Sequence, residues 1–152
     1  TLHTNDAPSS IIRLVDLGVE PFLLTATMEG IVAQRLTRTI CAGCKVAYTP
    51  TEEELMELQL TPEMVKGRQF FRGAGCERCY KSGYKGRMAI FEIMAINEEI
   101  RDNIMSKAST NVLRQLSKKN GMRSLRQCGM LAIYEGQTTI DEVVRETMND
   151  DE

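Results

Sequence analysis

Apolar positions along the chain fall into short periodic runs divided by turn-forming residues. Asn5, Asp6 and Pro8 precede Ile11-Ile12-Arg13-Leu14-Val15, the signature of a capped helix, and Gly18 is placed to end it. Pro21 opens a second helix, in which Leu24, Met28, Ile31, Val32 and Arg35 recur on one side at helical spacing. Leu36-Thr37-Arg38-Thr39-Ile40 alternates apolar and polar residues and is β-branched, which predicts a short strand running into Cys41. Thr51 with Glu54 forms a capping-box pattern for a helix to about Leu60, and Thr61-Pro62-Glu63 starts a short turn. Gln69-Phe70-Phe71-Arg72 reads as a returning strand, Tyr80–Arg87 as a glycine-punctuated turn, and Met88–Ile93 as another strand.

Helices fill the remainder. Asn97 caps one with Ile100, Ile104 and Met105 inward. Ser109 or Thr110 caps the next, with Val112, Leu113 and Leu116 inward and Gly121 as the stop. Ser124 begins a third through Tyr134, ended by Gly136. Thr139 and Glu142 form a capping box for a last helix with Ile140, Val143, Val144 and Met148 inward. Asn149-Asp150-Asp151-Glu152 is an acidic tail expected to fray.

Composition narrows the class. The 152 residues are 42% hydrophobic and 26% charged, which excludes a disordered chain, a collagen-like repeat and a coiled-coil rod. Lys plus Arg number 19 against 21 Asp plus Glu, so the net charge of -2 speaks against a basic nucleic-acid module. Aromatic residues are 5% with no Trp, leaving few platforms for stacking bases. No apolar run approaches the roughly 20 residues that span a bilayer. The nine Met residues fall mostly at apolar helical positions and read as core filler. Because the chain opens Thr1-Leu2-His3-Thr4 without an initiator Met, it reads as a piece cut from a longer protein.

Cysteine changes the picture most. Cys41 and Cys44 form one Cys-x-x-Cys pair and Cys76 and Cys79 another, with 31 residues (45–75) between them. Each pair can offer two thiolates from one tight turn, and two turns complete a four-sulfur shell around a tetrahedral ion. Gly43, and Gly73 and Gly75 ahead of the second pair, let backbone N–H groups approach the sulfurs. The favoured reading is a structural Zn²⁺ site without an open coordination position. Lys45, Arg78, Lys81, Lys85 and Arg87 lie close enough in sequence to offset the formal -2 charge of four thiolates and one Zn²⁺. Two disulfides, a thioredoxin-like redox pair and free thiols are the alternatives. Cys128, in an apolar helical stretch, reads as a small buried hydrophobe.

Three segments together resemble one family. Thr1-Leu2-His3-Thr4-Asn5-Asp6-Ala7 is similar to the histidine box of the type II/type IV secretion ATPases. Ala33-Gln34-Arg35-Leu36-Thr37-Arg38-Thr39-Ile40-Cys41-Ala42-Gly43-Cys44 resembles the segment leading from the ATPase core into a four-cysteine subdomain. Gly75-Cys76-Glu77-Arg78-Cys79, Gly83-Tyr84-Lys85-Gly86-Arg87 and Ile90-Phe91-Glu92 resemble the return from it. The order and spacing point to the PilB-like pilus extension ATPases and the similar GspE-like secretion ATPases. The resemblance implies an α/β to α+β fold. Residues 1–40 would end a RecA-like core, 41–90 would form the zinc subdomain and 91–152 a C-terminal helical region. It further implies a cytoplasmic hexamer of identical subunits, peripheral to the inner membrane. That ring would hydrolyse ATP with Mg²⁺ and work on an inner-membrane platform protein, with no nucleic acid and no membrane span. His3 would lie near the γ-phosphate and donate a hydrogen bond to developing charge.

Departures from the family temper that expectation. The phosphate loop Gly-x-x-x-x-Gly-Lys-Ser/Thr is absent from the 152 residues, and no strand ending in a Mg²⁺-binding acidic pair precedes His3, so the chain alone is expected to be inactive. Arg35 and Arg38 admit an arginine-finger reading, although a solvated or zinc-neighbouring cation is the plainer one. The rival functions are a stand-alone zinc-ribbon module that binds protein or nucleic acid, supported by the cations around Tyr80 and Tyr84, and a redox sensor that uses the cysteine pairs. A structural metal would supply folding free energy to residues 41–90 and leave the C-terminal helices independent of it.

Overall fold

Asp6 sets the start of the first element. Its carboxylate accepts the Ser9 N–H at 2.9 Å and Pro8 supplies the φ of the first turn, so α1 runs Ala7–Asp16. In the computed structural model, which describes residues 2–147, Gly18 ends this helix at φ +90. Thr1, Met148 and the acidic tail 149–152 lie outside the described residues.

The second helix is shorter than its apolar spacing predicts. α2 covers Pro21–Thr27, Met28 is already extended, and Gly30–Ile40 forms β1. Ile31, Val32 and Arg35 are therefore strand residues. Ile31, Ala33 and Arg35 are half-buried while Val32, Gln34 and Leu36 are exposed, a period of two that the same residues satisfy as well as a period of 3.6. The partner of β1 in a two-stranded sheet is β4, Tyr84–Ala95, longer at both ends than the predicted strand.

The described residues divide into two compact units, each drawn from separated stretches of sequence. The first takes residues up to 34 and 91–125. Its core joins Ile11, Leu24, Met94, Ile100, Ile104, Leu113 and Met122. α4 (Glu98–Met105) is capped by Asn97, whose Oδ1 accepts the Ile100 N–H at 2.9 Å, and α5 (Thr110–Lys119) by Ser109. Met105 and Val112, expected inward, are exposed, because each sits about 100° around its helix from a core-facing neighbour, Ile104 or Leu113. Along β4 the usual hydropathy is inverted: Phe91 and Ile93 face out and Glu92 is buried, its Oε1 accepting the Ala7 N–H at 2.7 Å.

The second unit takes 35–90 and the residues from 126 onward. β2 (Lys45–Tyr48) pairs antiparallel with β3 (Phe70–Gly73), Lys45 opposite Gly73 and Tyr48 opposite Phe70. Between them α3 (Glu52–Glu57) carries the full capping box: Glu54 N–H donates to Thr51 Oγ1 and Thr51 N–H to the Glu54 carboxylate. It stops short of Leu60 because Gln59 turns left-handed at φ +56 and Leu60 N–H folds back to Leu55 O. α6 (Leu125–Tyr134) and α7 (Ile140–Thr147) complete the unit. Leu55, Leu58, Leu60, Val65 and Phe70 bury against Ile133, Ile140 and Val143, so the excursion between the cysteine pairs shares one core with the last two helices. The core-filler reading of methionine holds for Met94 and Met122, whereas Met56 on the outer face of α3 is 72% exposed and Met64 61%.

α6 and α7 approach closely at Gly129, where an added Cβ would lie 2.5 Å from a Val143 methyl. Gly129→Ala is therefore expected to lower stability by about 1–3 kcal/mol through overpacking, read by denaturant unfolding. Unchanged stability would show that this contact yields.

Candidate metal centre

Two tight turns, both in the second unit, carry the four paired cysteines. Cys41 follows β1, its N–H bonded to Gly83 O at 2.9 Å, and Cys44 N–H closes the turn onto Cys41 O at 3.1 Å. Across from it Cys76 leads into a one-turn 3-10 helix, Glu77–Cys79. Tyr80 and Lys81 then adopt left-handed backbone at φ +51 and +64, which carries the Lys81 N–H back to Cys76 O at 2.9 Å. Ala74 N–H bonds Cys44 O at 2.9 Å and joins the two turns.

These bonds bring Cys41, Cys44, Cys76 and Cys79 together, with all four Sγ atoms within 4.8 Å of one another. Cys41 and Cys76 are 3.9 Å apart, Cys44 and Cys79 3.8 Å, and Cys76 and Cys79 3.7 Å. A tetrahedral ion with Zn–S bonds of about 2.3 Å needs sulfurs about 3.8 Å apart. A disulfide would need about 2.04 Å. None of the five cysteines forms a disulfide, so the two-disulfide alternative is not realised. The donor set fits a closed, soft-ligand metal site and is positioned to bind an ion. Cys128 is half-buried on α6 and not fully buried as its apolar context suggests.

The backbone prepares the sulfurs unequally. Cys79 Sγ accepts N–H bonds from Cys76 at 3.2 Å and Gly83 at 3.3 Å, and these hold its thiol down to about 6. Burial and the neighbouring thiols push Cys44 up to about 11, despite a bond from the Gly75 N–H. A bound cation would favour all four thiolates. Close backbone packing makes this geometry possible: a Cβ on Gly73 would fall 2.0 Å from Gly83 O, and Gly83 itself sits at φ +80. The neighbouring cations are partly engaged with protein groups. Arg78 lies over Gly43, and Lys81 pairs with Glu77 at 2.6 Å on the surface.

A second arrangement ties the metal corner to α7. Just before Cys41, Arg38 N–H donates to Glu142 Oε2 at 2.9 Å, and its guanidinium donates to Glu142 Oε1 from Nε at 3.0 Å and Nη2 at 2.6 Å. The guanidinium also stacks 4.1 Å from the Tyr84 ring, and the Tyr84 hydroxyl bonds Thr139 Oγ1 at 2.8 Å. Thr138 Oγ1 donates to Arg38 O at 2.8 Å, and Ile40 N–H to Gln137 O at 2.9 Å. Burial raises the Glu142 pKa, but the Arg38 hydrogen bonds and the Arg145 charge outweigh it and hold the carboxyl below the ordinary range. In the Thr139–Glu142 box, the Glu142 N–H does bond Thr139 Oγ1, at 3.4 Å, while its carboxylate turns to Arg38. Arg35 is half-buried on β1, and His3 is exposed in the first unit, on the stretch before α1.

The model of the type II/IV secretion system protein family matches residues 1–145. The chain belongs to this family. It is 41% identical over 148 residues to the type IV pilus assembly ATPase PilB of Thermus thermophilus, covering 97% of this chain and 17% of that protein. It is 43% identical over 145 residues to the type IV pilus assembly ATPase TfpB of Acinetobacter baylyi, 95% of this chain and 25% of the relative. Type II secretion system protein E of Aeromonas hydrophila is 37% identical over 150 residues, 99% of this chain and 29% of its own length. The chain thus spans less than a third of the length of these curated relatives. Among the described residues no helix is long and apolar enough to cross a membrane.

Sequence reasoning missed Glu142 as a partner of Arg38, because its capping-box position already explained it. It also missed buried Glu92 and the Asp6–Arg114 ion pair at 2.6 Å, whose partners lie far apart in sequence.

Because the excursion and α6–α7 share a core, the expected independence of all the C-terminal helices is replaced by a narrower one. Cys76→Ser or a strong chelator is expected to strip amide-exchange protection from β2, β3 and α7 together, while α4 and α5 keep theirs. Retained protection in α7 would contradict this. For Glu142, whose pKa is depressed in the fold, the stabilisation is fully present above the ordinary carboxylate range and lost as pH falls through the lowered value. Glu142→Gln should cost about 1–3 kcal/mol near neutral pH. That gap from the native chain should close in acid, and a pH-independent gap would refute the ion pair's role.

Proposed function

We propose that the chain is the C-terminal part of a hexameric motor ATPase that powers type IV pilus extension or type II protein secretion. The observation that carries this reading is the family match over nearly the whole chain, to relatives named as pilus and secretion proteins that are several times longer. In it, residues 1–40 end a RecA-like core, 41–90 form the metal-stapled subdomain and 91–152 a C-terminal helical region. The metal is structural Zn²⁺ on Cys41, Cys44, Cys76 and Cys79, supported by four converging sulfurs with no open position. ATP and Mg²⁺ are held by parts of the longer protein, with His3 reaching the γ-phosphate as a hydrogen-bond donor. Identical subunits complete the ring in the cytoplasm, and an inner-membrane platform protein receives its motion.

Of the two tyrosines behind the nucleic-acid reading, Tyr80 is exposed and Tyr84 is engaged within the chain; the net charge of -2 speaks against that reading. Tyr84 is stacked under Arg38 and bonded to Thr139, and Lys81 is paired with Glu77.

Metal analysis of the purified chain should return one zinc per chain. Residues 1–152 alone should hydrolyse ATP no faster than buffer, since no phosphate loop is present to hold the nucleotide. In a longer polypeptide that joins this chain to a phosphate loop, His3→Ala should lower kcat at least about 100-fold. Turnover by the 152-residue chain, or a His3→Ala variant as fast as its parent, would overturn the reading.

A further inference from the structure

Buried charge in the first unit gathers around the turn that follows His3. Asp6 and Glu92 are each 3% exposed. Asp6 Oδ1 accepts the Ser9 N–H, and Oδ2 accepts two bonds from Arg114 of α5, from Nε at 3.0 Å and Nη2 at 2.6 Å. Asn111 Oδ1 orients the same guanidinium through Nη1 at 2.9 Å. One residue on, the Ala7 N–H donates to Glu92 Oε1 of β4. Thr4 and Ser10 share a hydroxyl hydrogen bond at 2.7 Å across this turn. Burial raises the Asp6 pKa, but the Ser9 and Arg114 bonds outweigh it and hold the carboxyl below its ordinary range.

Such a cluster is a costly way to gain stability, since well-packed apolar residues fill similar space at no desolvation penalty. Bonds to two consecutive residues, Asp6 and Ala7, from two different elements leave the backbone at that point little freedom. His3 is three residues upstream, within reach of the same constraint. A short misplacement of a group acting on a transition state costs as much as about 100-fold in rate.

We propose that Arg114 and Glu92 are positioning residues for His3. They hold the Asp6–Ala7 turn and thereby aim the segment that presents the imidazole, without touching nucleotide themselves. The proposal rests on the reading of His3 given above.

The chain contains a single histidine, so imidazole resonances report His3 alone. In the 152-residue chain, residues 2–6 should show an ordered backbone by amide relaxation. Arg114→Gln and Glu92→Leu should bring those residues and the His3 signals to unfolded-chain values, while α4 amides keep their protection. Arg114→Gln strands a buried carboxylate, so Arg114→Lys, which keeps the charge with a single donor group, serves as the second variant and should retain intermediate order. In a polypeptide that also carries the phosphate loop, Arg114→Gln should lower kcat by about 10- to 100-fold with KM for ATP within about two-fold. Arg114→Lys should recover part of that loss. The double variant with His3→Ala should be no slower than His3→Ala alone, because both changes remove the same contribution. Unchanged order at residues 2–6, or losses that multiply independently, would overturn the proposal and leave the His3 reading standing. A His3→Ala variant with unchanged kcat would overturn both.

Discussion

Four sulfurs from two turns, separated by 31 residues of chain, occupy a space in which no two are more than 4.8 Å apart. Left as thiols they offer one another only weak hydrogen bonds, and as thiolates they repel. A cation at their centre would turn that liability into a tether between the two turns. The two-stranded sheet β2–β3 beside it would be marginal by itself. With the turns held, the strands would be kept in register, Lys45 opposite Gly73 and Tyr48 opposite Phe70. The backbone has been shaped for this in advance by glycine against glycine at residues 73 and 83, and by N–H groups aimed at Cys79.

The tether does not stop at the sulfurs. Arg38, three residues before Cys41, is bonded through its backbone and its side chain to Glu142, and Tyr84 links the other strand to Thr139. The start of α7 is therefore read by both strands that lead into and out of the metal turns. The guanidinium is raised further from deprotonation by the Glu142 hydrogen bond, and it holds a flat stack on Tyr84 that lysine would not reproduce. Residues that looked like candidates for phosphate chemistry can thus serve architecture, and Arg38 does.

How much of this was legible depended on range. Caps are local, and Asp6, Thr51, Asn97 and Ser109 each sit where a three-residue pattern placed them. Cys-x-x-Cys spacing is local too, and its convergence follows from the chemistry of the ligands. The stretch from Met28 to Arg35 was misleading because a few apolar residues fit both periods, and only pairing with β4 decides for a strand. Ion pairs such as Arg38–Glu142 and Asp6–Arg114 join residues 104 and 108 positions apart, beyond any window of pattern. Glu92 was hidden in a different way: its apolar neighbours Phe91 and Ile93 suggested the wrong face, and the burial of a carboxylate is explained only by the helix N–H it meets.

The interleaving of the two units has a consequence for biosynthesis. All four sulfurs have left the ribosome once Cys79 is free, but the core of the excursion between the cysteine pairs is closed only by Ile133, Ile140 and Val143. At about 5–20 residues per second, several seconds separate the two events. During that interval Leu55, Leu58 and Phe70 still wait for their partners, and an ion on the four sulfurs would be what orders the excursion. A chain without an ion on the four sulfurs would pass through that interval with neither tether nor closed core.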